Sequence, residues 1–194
     1  VVTAVTPEHM EFFHSIETVA EEELGLANYS KLAIINRDDI AGHFATYMNN
    51  PNIDTYGSTS AAEYRIEVDD FDIGHGYAGR LIAPELDTPV EVNVRVLGEH
   101  SLRPVTAAFT VALKLGMSGQ ALADGIEDIE PVKGRMNVLR GMNDSVLIDD
   151  TYNSSPASAS AALQALCSLQ APQRIAILGS MNELGTSSPS EHET

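Results

Sequence analysis

Two aspartates, a tyrosine and an asparagine share one five-residue stretch, at Asp149, Asp150, Tyr152 and Asn153. Held together, carboxylates and a primary amide can accept and donate hydrogen bonds or face a cation. An apolar run, VLI at 146–148, precedes them, and Ser155, Pro156 and an Ala-rich stretch follow. That order predicts a buried strand, a loop and a helix. Ser155 is a good N-cap, and Pro156 suits the first helical turn, where its missing N–H has no partner to lose. In an open α/β sheet, ligands collect in the crevice at the carboxyl ends of the strands. The same residue types also favour turns for purely local reasons.

Four more positions place chemically useful side chains beside predicted element ends. His9 follows a short apolar start, with Glu8 and Glu11 beside it. On residue type alone it is a surface histidine near a turn. Glu23 belongs to the run EEE at 21–23, which by itself is the wet face of a helix. His100 opens a helical pattern. Arg135 follows Gly134, and its planar fork suits phosphate oxygens, with a salt bridge between domains as the alternative.

The elements that must position these residues follow from periodicity. Residues 1–5 read as a buried strand already under way. Val19, Leu24 and Leu26 predict a helix over 17–29. KLAIIN at 31–36 is a short buried strand. Asp38 and Asp39 open a helix to about Met48, where acids suit the first turn, and extended structure resumes after Pro51. RIEVDDFDI, YAGRLIA and VEVNVRV alternate apolar and polar residues between Gly, Pro and Asp turns. They predict antiparallel strands with one wet face. Residues 100–126 are helical, with Gly116 as a C-cap. EPVKGR at 130–135 is the predicted domain boundary. MNVLRG, SVLIDD and RIAILG (174–179) then read as strands, the last two flanking the Pro156 helix. Strand, helix, strand implies a parallel pair with a crossover. Ser188 and Pro189 start a final helix.

Composition excludes several classes. The chain has 194 residues, a net charge of −17 and three lysines. Such a surface is solvated and self-repelling, and it argues against nucleic-acid binding, which needs clustered Lys and Arg. A high-salt habitat is the weaker explanation of the charge. No apolar run reaches the roughly 20 residues of a membrane helix. The start has no basic flank and does not read as a signal peptide. Cys167 is alone, so no internal disulfide forms, which fits a reducing cytoplasm. Its Ala/Leu surroundings predict a small core residue.

Five segments in chain order carry a resemblance: TAVTPEHMEFFHSIETVA (3–20), LGEHSLRPVTAA (97–108), KGRM (133–136), DDTYNSSP (149–156) and ILGSMNELG (177–185). Together they resemble the Mur ligase family, with DDTYNSSP similar to its Asp-Asp-Thr-Tyr-Asn-x-x-Pro signature. The resemblance implies an α/β fold. Residues 1–132 would be the later part of a P-loop-type central ATPase domain with an antiparallel β segment. Residues 133–194 would be the first part of a truncated Rossmann-like C-terminal domain. No G-x-x-x-x-G-K-[ST] sequence occurs; the family carries that loop upstream, and both ends of this chain read as cut, with a genuine Ser/Thr-rich tail as the alternative. Such a piece should bind ATP poorly alone.

The implied activity is an ATP-dependent amide ligase of peptidoglycan precursor synthesis. It joins D-alanyl-D-alanine to UDP-N-acetylmuramoyl-tripeptide through an acyl phosphate, with ATP and magnesium (Mg2+), in the cytoplasm. By the same resemblance His9 holds the magnesium beside the γ-phosphate. Glu23 stands fourteen residues on, where the family has a carbamylated lysine, and supplies its carboxylate directly. His100 lies beside the adenine. Arg135 lies near the phosphates, and Asp149, Asp150, Tyr152 and Asn153 contact the nucleotide from the C-terminal domain. Glu8 and Glu11 are solvated acids or outer partners of the ion. Glu183 and His192 match family positions without an assigned role. Ala4, Glu23, Pro104 and Ser180 depart from the pattern. A ligase for another amino acid and a catalytically silent binding module are the rival expectations. The third residue of the tripeptide and the oligomeric state are not legible.

Overall fold

The computed structural model describes residues 1–7 and 9–193. The first lobe starts with α1 (Met10–Phe13) and α2 (Ile16–Gly25), continues through β1 (Ala33–Asn36), β2 (Ile53–Gly57), β3 (Tyr64–Asp72), β4 (Gly76–Ile82) and β5 (Val90–Val94), and closes with α3 (Leu102–Lys114) and α4 (Gly119–Glu127). The second lobe holds β6 (Asn137–Arg140), β7 (Val146–Asp149), α5 (Pro156–Ser168) and α6 (Ser188–Glu193).

The five strands of the first lobe lie in sequence order. β1, β2 and β3 run parallel, and β3, β4 and β5 antiparallel. All four β1 residues are buried because both faces are covered. Ile34 points into the core under α3 and α4, while Ala33 and Ile35 point into the core under α2. That alternation is the two-residue period of a strand. α2 is capped by Ser15, whose hydroxyl accepts from the Thr18 amide at 3.1 Å. At the carboxyl end of β1 the buried Asn36 side chain donates to the Thr3 carbonyl (2.6 Å) and to Asp39 (2.7 Å) and accepts from the Asp38 amide (2.9 Å). It thereby fixes the segment that leads to His9.

In the second lobe β6 and β7 form an antiparallel hairpin. α5 starts where the sequence predicts, with Pro156 in its first turn and a reciprocal capping box between Ser155 and Ser158. The lobes meet on a small apolar cluster of Leu97, Met136 and Ala165, with Phe71 and Ile148 against it.

Five local expectations are corrected. β7 is not a buried strand: among the described residues it pairs only with β6, and Val146 and Leu147 are exposed. Residues 1–5 make a single bridge, Val2 to Ile35, rather than a strand. The predicted helix over 38–48 is a 3-10 turn at Gly42–Tyr47; the amides of Asp38 and Asp39 are taken by Asn36, so they start no helix. RIAILG is not a strand: no backbone hydrogen bond joins it to β7, and Ile175, Ile177 and Leu178 are exposed. The parallel pair with a crossover is therefore absent among the described residues. Cys167 is exposed rather than core, because α5 buries only Ala165.

Candidate functional site

A cleft of ≈ 160 Å³ opens between the lobes. His9 lines it from the first lobe; Arg135, Asn153, Ser155 and Glu183 line it from the second. His9 precedes α1, and its carbonyl accepts from the Phe12 and Phe13 amides at 2.8 and 3.1 Å. That anchors the backbone while the ring reaches across: Nδ1 bonds the Glu183 carboxylate. Both residues hold left-handed backbone, φ 53° and φ 62°, a conformation rare enough in non-glycine residues to need support from its surroundings.

Arg135 is exposed and has no carboxylate partner among the described residues. Its guanidinium stacks over the Tyr152 ring at 4.3 Å, a cation–π arrangement that leaves its N–H fork open. The expected alternative, an interdomain salt bridge, is not formed. Around Arg135 the site loop is stitched to the junction. Tyr152 N–H donates to the Gly134 carbonyl at 3.1 Å, and Met136 N–H donates to Asp150 at 3.0 Å. Asp149 accepts from the Thr151 hydroxyl at 2.7 Å, which holds its carboxyl below the usual range. The two aspartates thus spend oxygens on the loop itself, and Asn153 is the member of the quartet that lines the cleft.

The remaining predicted residues lie elsewhere. His100 is half-buried at the start of α3, outside the cleft lining. Burial lowers its pKa, Arg103 lowers it further, and Asp150 works the other way. Glu23 is exposed on α2 and does not line the cleft with His9. Glu8 lies outside the described residues. His192 accepts from the Met181 amide at 2.9 Å and bonds the Ser188 carbonyl, a local tie of α6. Sequence reasoning gave Glu183 no role. The turn signal of Leu184–Gly185 was present, but a contact across 174 positions has no local signature.

A larger recess of ≈ 430 Å³ lies between α3 and the sheet. Its arginines are already matched, Arg80 to Asp69 at 2.8 Å and Arg103 to Asp39 at 2.9 Å. The smaller cleft, with its open guanidinium, is the better place for an anion. Among the described residues no three His, Cys, Asp or Glu side chains cluster as a complete metal centre. The cleft brings together one imidazole and one lining carboxylate, and His9 and Glu183 take each other. Magnesium prefers oxygen ligands, so the described residues lining the cleft do not by themselves fit the ion.

The chain matches two family models, "Mur ligase middle domain" over residues 1–112 and "Mur ligase, glutamate ligase domain" over residues 134–194. It is 28% identical to the UDP-N-acetylmuramoyl-tripeptide--D-alanyl-D-alanine ligase of Rickettsia prowazekii, over 99% of this chain and 43% of that protein. It is 30% identical to the enzyme of the same name from Mycobacterium bovis, over 100% of this chain and 39% of that protein. The fold resembles MurF from Acinetobacter baumannii, with TM-score 0.85 and 25% identity, over 98% of this chain and 41% of that one. It also resembles MurF from Thermotoga maritima in complex with ADP, with TM-score 0.79 and 25% identity, over 97% and 43%. The chain thus spans about two fifths of the length of the relatives it matches. With the middle-domain match alone covering more than half of its residues, and the α/β fold and motif order in agreement, the chain belongs to the Mur ligase family.

Proposed function

We propose that this chain forms the nucleotide-facing interlobe part of an ATP-dependent ligase that joins D-alanyl-D-alanine to UDP-N-acetylmuramoyl-tripeptide, in the cytoplasm. The observation that carries the reading is the cleft itself. An anchored imidazole from one lobe faces an open guanidinium and an amide from the other. The names of the relatives supply the substrates, and the ADP-bound neighbour supplies the nucleotide class.

In this reading the γ-phosphoryl group of ATP moves to the terminal carboxylate of the tripeptide, and ADP leaves. The amine of D-alanyl-D-alanine then attacks the carbonyl carbon, the C–O bond to phosphate breaks, and the amine gives up its proton. Arg135 receives phosphate oxygens through its fork, with Tyr152 holding its plane. Asn153 donates from the same loop. Magnesium is the cation of this reading and would neutralise phosphate charge when bound; of its two expected protein ligands, His9 lines the cleft and Glu23, exposed on α2, does not. Asp150 is tied to the junction next to Arg135 and Asp149 to its own loop, and in this reading their remaining oxygens meet the nucleotide while His100 lies beside the adenine. Closure of the lobes excludes water and sets the reacting groups in place, as positioning dominates phosphoryl transfer.

Phosphate release by the full-length protein tests this. Release should need ATP, the UDP-linked tripeptide and D-alanyl-D-alanine together, and Glu23→Gln should raise the magnesium concentration required. Equal release with another amino acid in place of D-alanyl-D-alanine would move the protein to a different branch of the family. No release with any substrate would make it a silent binding module.

A further inference from the structure

We propose that the Glu183 carboxylate is a built-in competitor for a ligand's phosphate group: it holds the His9 side of the interlobe cleft and has to be displaced before one phosphate can bridge His9 and Arg135. The inference rests on the reading of the cleft as the place of a nucleotide phosphate and adds a side chain that works against that ligand.

The lining is that of an anion site with one misfit. Arg135 presents an open fork, and the Asn153 and Asn182 amides and the Ser154 hydroxyl have no hydrogen bond among the described residues. All of these groups can donate to the oxygens of an oxyanion. Glu183 is the one acidic side chain lining the cleft among the described residues. It does not pair with Arg135; it bonds His9 Nδ1. That bond occupies Nδ1 whichever of the two groups carries the proton. The space is also small. At ≈ 160 Å³ it is about half the lower end of the range for pockets that take whole small molecules, roughly 300–1,000 Å³. It therefore takes one group of a ligand. A carboxyl group beside a phosphate would put two sets of acceptor oxygens into that space, and where both are ionised they also repel.

The turn that presents Glu183 is fixed, but the side chain can leave. Its backbone is left-handed, φ 62°, a conformation that a glutamate keeps only where the surroundings impose it. Leu184, the next residue, is buried, and its carbonyl accepts from the Ser187 amide at 3.2 Å. Gly185 lies against α1: a Cβ added there would stand 3.4 Å from Glu11 Cγ. The side chains of His9 and Glu183 are themselves half exposed. Rotation about the Glu183 side-chain bonds thus takes the carboxylate into water while the turn stays in place. A contact this exposed is weak, so a phosphate held by Arg135 and the amides can displace it. On returning to His9, the carboxylate helps to expel the phosphate that the reaction leaves.

The test uses the full-length protein and inorganic phosphate as the probe. NMR signals of the Arg135 side-chain N–H groups and of the His9 ring, followed through a phosphate titration, report binding at this cleft. Glu183→Ala is expected to tighten phosphate binding by about 3–10-fold. Glu183→Gln should tighten it by a smaller factor, and it keeps the shape of the turn should the alanine variant misfold. Arg135→Ala should abolish the response of the His9 ring in the wild type and in both Glu183 variants. Unchanged affinity in both Glu183 variants overturns the competition and leaves the cleft an anion site. Weaker binding in both also overturns it and makes Glu183 part of what holds the ligand. If phosphate moves neither the Arg135 nor the His9 signals in any of these proteins, the cleft is not an anion site, and the competition falls with that reading.

Discussion

His100 shows how a single residue reports on the junction. It sits against Gly98, where an added Cβ would lie 2.5 Å from the ring, and it faces Asp150 and Arg103. Burial holds its pKa below the ordinary value near 6.5. The unfolded chain therefore takes up a proton at a higher pH than the native one does. Stability is full above about pH 6.5 and declines as the pH falls from there towards the lowered native value. Thermal melts of the wild type should show a midpoint that drops across this window, and His100→Gln should flatten the drop. An unchanged slope in the variant would assign the effect to other groups. The residue-level chemistry was legible to differing degrees. Asn153 was singled out after a predicted strand end and Arg135 in the Gly-Arg of the predicted domain boundary, both signals that are local in the sequence. Glu183 was not, because its partner is at the far end of the chain.

Among the elements, α5 follows its sequence most closely. Ser155, Pro156 and Ser158 encode its start within four positions, and the observed capping box uses all of that information. Ser155→Ala removes the acceptor for the Ser158 amide (3.3 Å) and should cost about 1 kcal/mol of stability. A chemical denaturation curve reads this as a lower midpoint at constant slope; an unchanged midpoint would mean that lobe contacts, not the cap, hold the helix. Because the helix start is also the end of the site loop, the same change should loosen Asn153. β3, β4 and β5 were equally legible, since a period of two survives in any sheet with one wet face. RIAILG failed for the converse reason: an apolar run is a strand only where an edge is available to pair with it, and edge availability is not written in the run. The 38–48 segment failed because one buried side chain, Asn36, outbid helix propensity for two amides.

The whole molecule is two lobes with one narrow seam. Its apolar part is Leu97, Met136 and Ala165, and its polar part is His9 against Glu183. The net charge of −17 is an unfavourable background for a nucleotide, so anion binding must come from placed groups at short range rather than from a general field. The α/β class was readable because strand and helix periodicities alternate along the chain. The closeness of the lobes was not readable, since it depends on contacts between segments that are each polar and irregular.

The central claim is that residues of both lobes grip one nucleotide. Its most direct test is a double-mutant cycle with His9→Ala and Arg135→Ala, reading the affinity of the full-length protein for ADP with magnesium by calorimetry. Each single change is expected to weaken binding, and the double mutant should lose less than the two losses added together, with a coupling above about 0.5 kcal/mol. Additive losses, or an affinity that ignores either residue, would contradict a shared ligand.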